Sequence, residues 1–113
     1  MNERNTRRNI VREARRWLGT PYLHQASVRH RGCDCLGLIR GVWRYLYGGE
    51  PQAVPAYSPD WGEASGEETM QNAAERWLCR IDVEAALAGD LVLFRWKKGT
   101  IAKHAGILTG NGR

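Results

Sequence analysis

An α+β fold is the class this sequence predicts, and three observations predict it. Three stretches in the first two-thirds of the chain carry apolar residues at helical steps of three and four. Two short apolar runs of strand character, separated by a turn, follow near the C-terminus. No apolar run approaches the roughly 20 residues needed to cross a membrane, so no membrane insertion is expected. At 113 residues the chain suits one compact domain, residues 1–113, and its five Trp and four Tyr supply large side chains for a modest core.

The first helix is expected from about Thr6 to Leu18, with Ile10, Val11, Ala14, Trp17 and Leu18 as its apolar positions. Gly19 and Pro21 stop it. The segment G-T-P-Y-L-H-Q-A-S reads as a loop in which Tyr22 and His24 are candidates for chemistry, although the sequence identifies no partner for His24. Leu38, Ile39, Val42, Trp43 and Leu46 then define a central helix with one wide buried stripe. Asp34 stands where a short side chain caps orphan N–H groups, and Gly48 suits the C-terminal cap. Gly49 to Gly66 contains Pro51, Pro55, Pro59, Tyr57 and Trp61 and reads as an ordered loop bordering a site. Helical spacing returns over Glu67 to Leu78, through Met70, Ala73, Ala74, Trp77 and Leu78, with Cys79 as a small buried hydrophobe at its close. Leu91 to Trp96 and Ile101 to Thr109 read as strands joined by the turn Lys97-Lys98-Gly99-Thr100. Asn111-Gly112 is a hairpin-turn signal one residue from the end, which implies that further strands are cut off.

Seventeen Lys and Arg against twelve Asp and Glu leave a net charge of +5, which suits anionic partners such as nucleic acid or acidic wall polymers. The arginines of the first helix, Arg7, Arg8, Arg12, Arg15 and Arg16, lack interleaved aromatics, so nucleic acid is not the expected partner. Cys33, Cys35 and Cys79 are an odd count, and the polar N-terminus carries no secretory signal. Free thiols in a protein made in the cytoplasm are therefore expected. A single C-x-C with scattered partners, Cys79 and His104, lacks the paired spacing of structural zinc.

Cys35 falls in the first turn of the central helix, where aligned peptide dipoles favour a thiolate. A thiolate nucleophile needs a base, and histidine suits neutral pH. His104 is placed at the head of a strand and followed by small Ala105 and Gly106, which lets a fixed ring approach a helix start.

Four motifs occur in order: G-T-P-Y, D-C-x-G-L, G-D-L-V-L-F and K-H-A-G-I-L. Together they span Trp17 to Leu108, and the chain resembles the NlpC-type cysteine peptidases, papain-like cell-wall hydrolases of bacteria and phages, most closely their phage-associated branch. The resemblance implies N-terminal helices packed on a small antiparallel sheet. It implies Cys35 as nucleophile and His104 as base and then acid to the leaving amine. It further implies a helix-start N–H for the oxyanion, and Tyr22 and Asp34 on the substrate side, Asp34 holding a free amine. Peptidoglycan stem peptides are the implied substrate, cut at a γ-D-glutamyl-diamino acid bond, with no cofactor. The implied place of action is the cell wall, the periplasm or a phage-like particle with its tail proteins.

The chain departs from the family pattern at three points. Leu36 stands where Ser is more usual, and His24-Gln25-Ala26 replaces the usual W-G-G. The strand bearing a third, imidazole-orienting residue would begin past Arg113. An inactive, tail-associated remnant of the same fold is the alternative that this last departure motivates.

Overall fold

The computed structural model describes residues 3–50, 68–95 and 97–110 of the chain. The elements run α1 (Glu3–Arg15), β1 (Ser27–Val28), β2 (Gly32–Cys33), α2 (Cys35–Tyr47), α3 (Thr69–Trp77), a 3₁₀ turn (Val83–Ala85), β3 (Leu91–Arg95) and β4 (Ala102–Ile107). Both sheets are two-stranded and antiparallel, β1 with β2 and β3 with β4, so the architecture is α+β. α2 is the hub, packing on α1, on β1 and β2, and on β4.

α2 forms where the apolar stripe predicts it, and both of its ends are capped by side-chain or backbone chemistry. Asp34 is extended (φ −103°, ψ −172°) and accepts from the Gly37 N–H, which satisfies one orphan donor of the first turn. Gly48 takes the left-handed conformation at φ +80° and returns its N–H to the Arg44 carbonyl.

Two glycines of α2 are dictated by what lies against them. A Cβ at Gly37 would stand 1.8 Å from the Ala26 carbonyl oxygen, and a Cβ at Gly41 2.0 Å from the Trp17 indole. Gly37 thereby lets the loop before β1 lie on the helix, and Gly41 makes the notch that receives α1. Trp17 is buried in that notch and donates its indole N–H to Glu13, itself buried, at 3.3 Å. At the other end of α1, Arg7 donates to Asp90 Oδ1 at 2.7 Å and to the Ala88 carbonyl at 3.3 Å, tying the helix to the turn before β3.

β3 and β4 pair from Leu91 opposite Ile107 to Phe94 opposite His104, with a bulge before Arg95 pairs with Ala102. Their inner side meets α2 and α3 in a small core of Met70, Ile101 and Ala105, against which Cys35, Leu36, Ile39 and Leu93 pack. Glu68 accepts from the Ala102 N–H and from Arg95, both at 2.7 Å, and so fastens the start of α3 to the hairpin.

Several expectations change. α1 ends at Arg15 rather than Leu18, with Trp17 buried and Leu18 exposed beyond it. Trp17 and Leu18 therefore part company, because a turn replaces the helix. The β1–β2 hairpin lies almost wholly beyond the expected Gly19–Ser27 loop and was not foreseen, because two-residue strands carry too few side chains for a period to register. Cys79 is exposed rather than buried: Leu78 turns extended (φ −131°, ψ 153°) and carries Cys79 out of the helix register. Trp77 is likewise exposed, with the Arg76 guanidinium 5.5 Å from its ring centroid. The loop Gly49 to Gly66, except for Gly49 and Glu50, and the turn at Asn111-Gly112 lie outside the described residues.

Candidate active site

Cys35 is the first residue of α2, half-buried at the edge of the small core. Three backbone N–H groups serve its sulfur, those of Ala105 on β4 and of Leu36 and Cys35 itself at the helix start. They favour the thiolate. Burial acts against it, and so does the Asp34 carboxylate next door. Burial is the largest of these effects, and the thiol lies above its ordinary range. This corrects the expectation from the helix dipole alone, because partial charges of about half an electron do not offset desolvation beside a full negative charge. Cys33, two residues earlier, is raised for the same reasons, burial first.

His104 is the third residue of β4 rather than its head. The strand lies so that the N–H of Ala105, the next residue, reaches the Cys35 sulfur. Side chains alternate along a strand, so Ala105 faces the core and His104 faces out. The imidazole is exposed and tilts against Phe94, its cross-strand partner, with ring centroids 5.6 Å apart. Among the described residues it makes no hydrogen bond to Cys35. The backbone brings the two candidates to adjacent residues, and the imidazole points elsewhere.

Asp34 is 5% exposed and is bonded on both carboxylate oxygens. Oδ1 accepts from the Gly37 N–H at 2.7 Å and Oδ2 from the Gln25 N–H at 2.8 Å. Its own N–H donates to the Ala26 carbonyl at 3.3 Å. The residue that caps α2 therefore also pins the loop from Leu23 to Ala26. Gln25 takes φ +67° to present its N–H, at the position where the resemblance leads one to look for glycine.

His24 belongs to this group, and sequence reasoning left it without a partner. Its Nδ1 stands 3.7 Å from Asp34 Oδ2, ten residues along the chain. A left-handed turn at Gln25 creates that proximity, and no local pattern in the sequence announces it. Tyr22 is different. Its backbone bridges to Cys33, through Leu23 N–H to the Cys33 carbonyl and Cys33 N–H to the Pro21 carbonyl, both 3.0 Å, while its side chain is 72% exposed. Leu36, where the resemblance has Ser, packs on the core beside Met70 and Ile101. Among the described residues no three His, Cys, Asp or Glu side chains converge as metal ligands, and no helix is long and apolar enough to cross a membrane.

Comparison with known proteins bears on this arrangement. Over 106 residues the chain is 29% identical to a gamma-DL-glutamyl hydrolase of Bacillus subtilis (strain 168), covering 92% of this chain and 21% of that protein. Over 105 residues it is 30% identical to the bifunctional muramidase/DL-endopeptidase CwlT of the same organism, covering 92% of this chain and 27% of the relative. The chain thus spans between about a fifth and just over a quarter of the length of these relatives. No solved structure gives a significant match. Residues 19–113, from the loop after α1 through α2 and the β3–β4 hairpin, match the NlpC/P60 family, whose domain is papain-like, and the chain belongs to that family.

Proposed function

We propose that this chain is a cysteine peptidase domain that cleaves peptidoglycan stem peptides at a γ-D-glutamyl-diamino acid bond, with Cys35 as nucleophile and His104 as base. The observation that carries the proposal is the seat of Cys35: a half-buried sulfur at a helix start, served by the N–H of the residue after His104. Family membership supports the reaction class, and the gamma-DL-glutamyl hydrolase and DL-endopeptidase among the relatives support the γ-glutamyl bond.

In the proposed reaction His104 takes the Cys35 proton, the thiolate adds to the carbonyl carbon, and the imidazolium returns the proton to the leaving amine. Water then hydrolyses the thioester. The N–H groups of Cys35 and Leu36 at the helix start are the oxyanion donors. Because burial and Asp34 hold the thiol protonated, ionisation requires the imidazole to leave the Phe94 ring and face the sulfur. Asp34, with Tyr22 on the exposed side of the same loop, is assigned to the substrate's amino end. Delivery to the wall by a phage or phage-like tail belongs to the proposal through the motif resemblance.

The test is mass spectrometry of L-Ala-γ-D-Glu-meso-diaminopimelate incubated with the chain. New amine and carboxylate ends are expected, and Cys35→Ala is expected to lower the rate at least about a thousandfold. A second reading, a catalytically inactive structural module of the same fold, is favoured by the exposed, outward-facing imidazole. It predicts no cleavage, and Cys35 alkylation no faster than that of the exposed Cys79 at any pH.

A further inference from the structure

We propose that the groove between α1 and the end of the β3–β4 hairpin docks an extended segment of a partner protein in which acidic and apolar residues alternate. None of Cys35, His104, Asp34 and Tyr22 lines this groove, so binding there is independent of the peptidase reading.

The groove has a volume of about 1130 Å³, above the roughly 300–1,000 Å³ of sites built for small molecules. Its two walls differ in chemistry. α1 forms one of them and carries Arg4, Arg8 and Arg12, all exposed and spaced four residues apart on one side of the helix. Facing them are Val83 of the 3₁₀ turn, Leu87 after it, Val92 of β3 and Leu108 just past β4. Val83 is 84% exposed and Leu87 55% exposed, so this wall is apolar surface open to solvent. Apolar side chains left open beside a row of like charges mark an interaction surface.

The other arginines of the lining tie the walls to each other. Arg7 donates to Asp90 at 2.7 Å and to Glu3 at 3.2 Å, and Arg15 reaches the Thr109 carbonyl at 3.5 Å. Both acids of α1 are thereby spoken for: Glu3 holds Arg7, and Glu13 is buried against the Trp17 indole and the Arg16 guanidinium. The row of Arg4, Arg8 and Arg12 has no carboxylate of its own helix to neutralise it. Like charges four residues apart weaken the helix that carries them, and an anion laid along the row relieves that repulsion.

Four residues of helix advance about 6 Å along its axis. Alternate residues of an extended chain advance about 6.7 Å, and successive ones point to opposite sides. A segment with a carboxylate at every second position therefore meets the arginine row with one face and turns its apolar residues to Val83, Leu87, Val92 and Leu108 with the other. A phosphate polymer matches the row by charge and offers nothing to the apolar wall. That wall favours the peptide.

The experiment measures Kd of the full chain by fluorescence anisotropy at neutral pH for labelled probes. These are the peptide Glu-Leu-Glu-Leu-Glu-Leu-Glu, its counterpart Glu-Ser-Glu-Ser-Glu-Ser-Glu, and inorganic polyphosphate of matched charge. The Glu-Leu peptide is expected to bind at least about tenfold more tightly than the other two, the scale of one buried leucine. Arg8→Gln and Arg12→Gln are each expected to weaken it about threefold, and R4Q/R8Q/R12Q together about twentyfold, the scale of exposed ion pairs. Val83→Ser is expected to narrow the gap between the two peptides about threefold. Glutamine keeps the helix propensity of arginine, and circular dichroism checks that each variant is folded. Equal affinity for all the probes overturns the proposal and leaves a merely basic surface. An unchanged Kd in the triple variant overturns it, and so does no binding of any probe. Self-association of the chain that the triple variant abolishes also overturns it, assigning the groove to a second copy.

Discussion

Asp34 makes three kinds of contact with one short side chain. It caps α2, staples the Leu23–Ala26 loop through the Gln25 N–H, and lies beside the His24 imidazole. Each backbone bond matters because a carboxylate enclosed to this degree without donors would be unstable by several kcal/mol. Gly37 is the counterpart on the helix: its missing side chain is what lets the Ala26 carbonyl come down beside the cap. Gly37→Ala is expected to destabilise the chain by about 3 kcal/mol, since backbone rather than a flexible side chain must move. Urea denaturation measures it, and a loss below about 0.5 kcal/mol would show that the loop yields freely. The D-C-x-G-L motif thus reads physically as cap, first-turn thiol, core residue and clearance. The sequence made the cap and the first-turn position of Cys35 legible. The clearance required knowing that a loop ten residues earlier lies on the helix.

Among the elements, α2 is the one whose periodicity, N-cap and C-cap all pointed the same way, and it forms as expected. The joint between α1 and α2 was not legible. It consists of Trp17, past the end of α1, lying across Gly41, with its indole N–H given to a buried Glu13. A Gly41→Ala substitution places a methyl in the indole ring and is expected to cost about 2 kcal/mol, read as a lowered Tm. Helix propensity alone argues the opposite sign, since Ala exceeds Gly by about 1 kcal/mol within a helix. The measured sign therefore decides between packing and propensity. The hairpin of β3 and β4 was legible in its turn and apolar runs, but the bulge before Arg95 and the outward orientation of His104 were not. Strand alternation states which residues share a face; the neighbour packed against the sheet decides which face is inside.

Over the whole molecule, carboxylates hold distant segments together. Glu68 is kept below its ordinary range first by the bond from Arg95 and then by the Ala102 N–H, joining α3 to the hairpin. Glu50 is lowered first by the bond from Arg40, with Arg44 adding to it, joining the end of α2 to its own middle turns. A carboxyl whose folded value lies below its unfolded value contributes stability that is present above the ordinary glutamate range and is lost as pH falls through the folded value. Urea midpoints are therefore expected to be level near neutrality and to fall below about pH 4.5, the fall being shallower in Glu50→Gln and in Glu68→Gln. A midpoint independent of pH down to 3 would show that these bonds contribute nothing measurable. High salt is expected to weaken both contributions, because each pair is partly open to solvent.

The sequence by itself determined the α+β class, the capped central helix with Cys35 in its first turn, the two late strands, and the family to which the motifs belong. Those features are written in short-range order: apolar steps of three and four, a cap residue before a stripe, and glycines after one. Only the tertiary structure decided that burial beside Asp34 raises the Cys35 thiol, that His104 rests on Phe94 while Ala105 meets the sulfur, and that His24 finds its partner in Asp34. Those outcomes depend on desolvation and on contacts between segments ten to seventy residues apart, and neither quantity has a local signature along the chain.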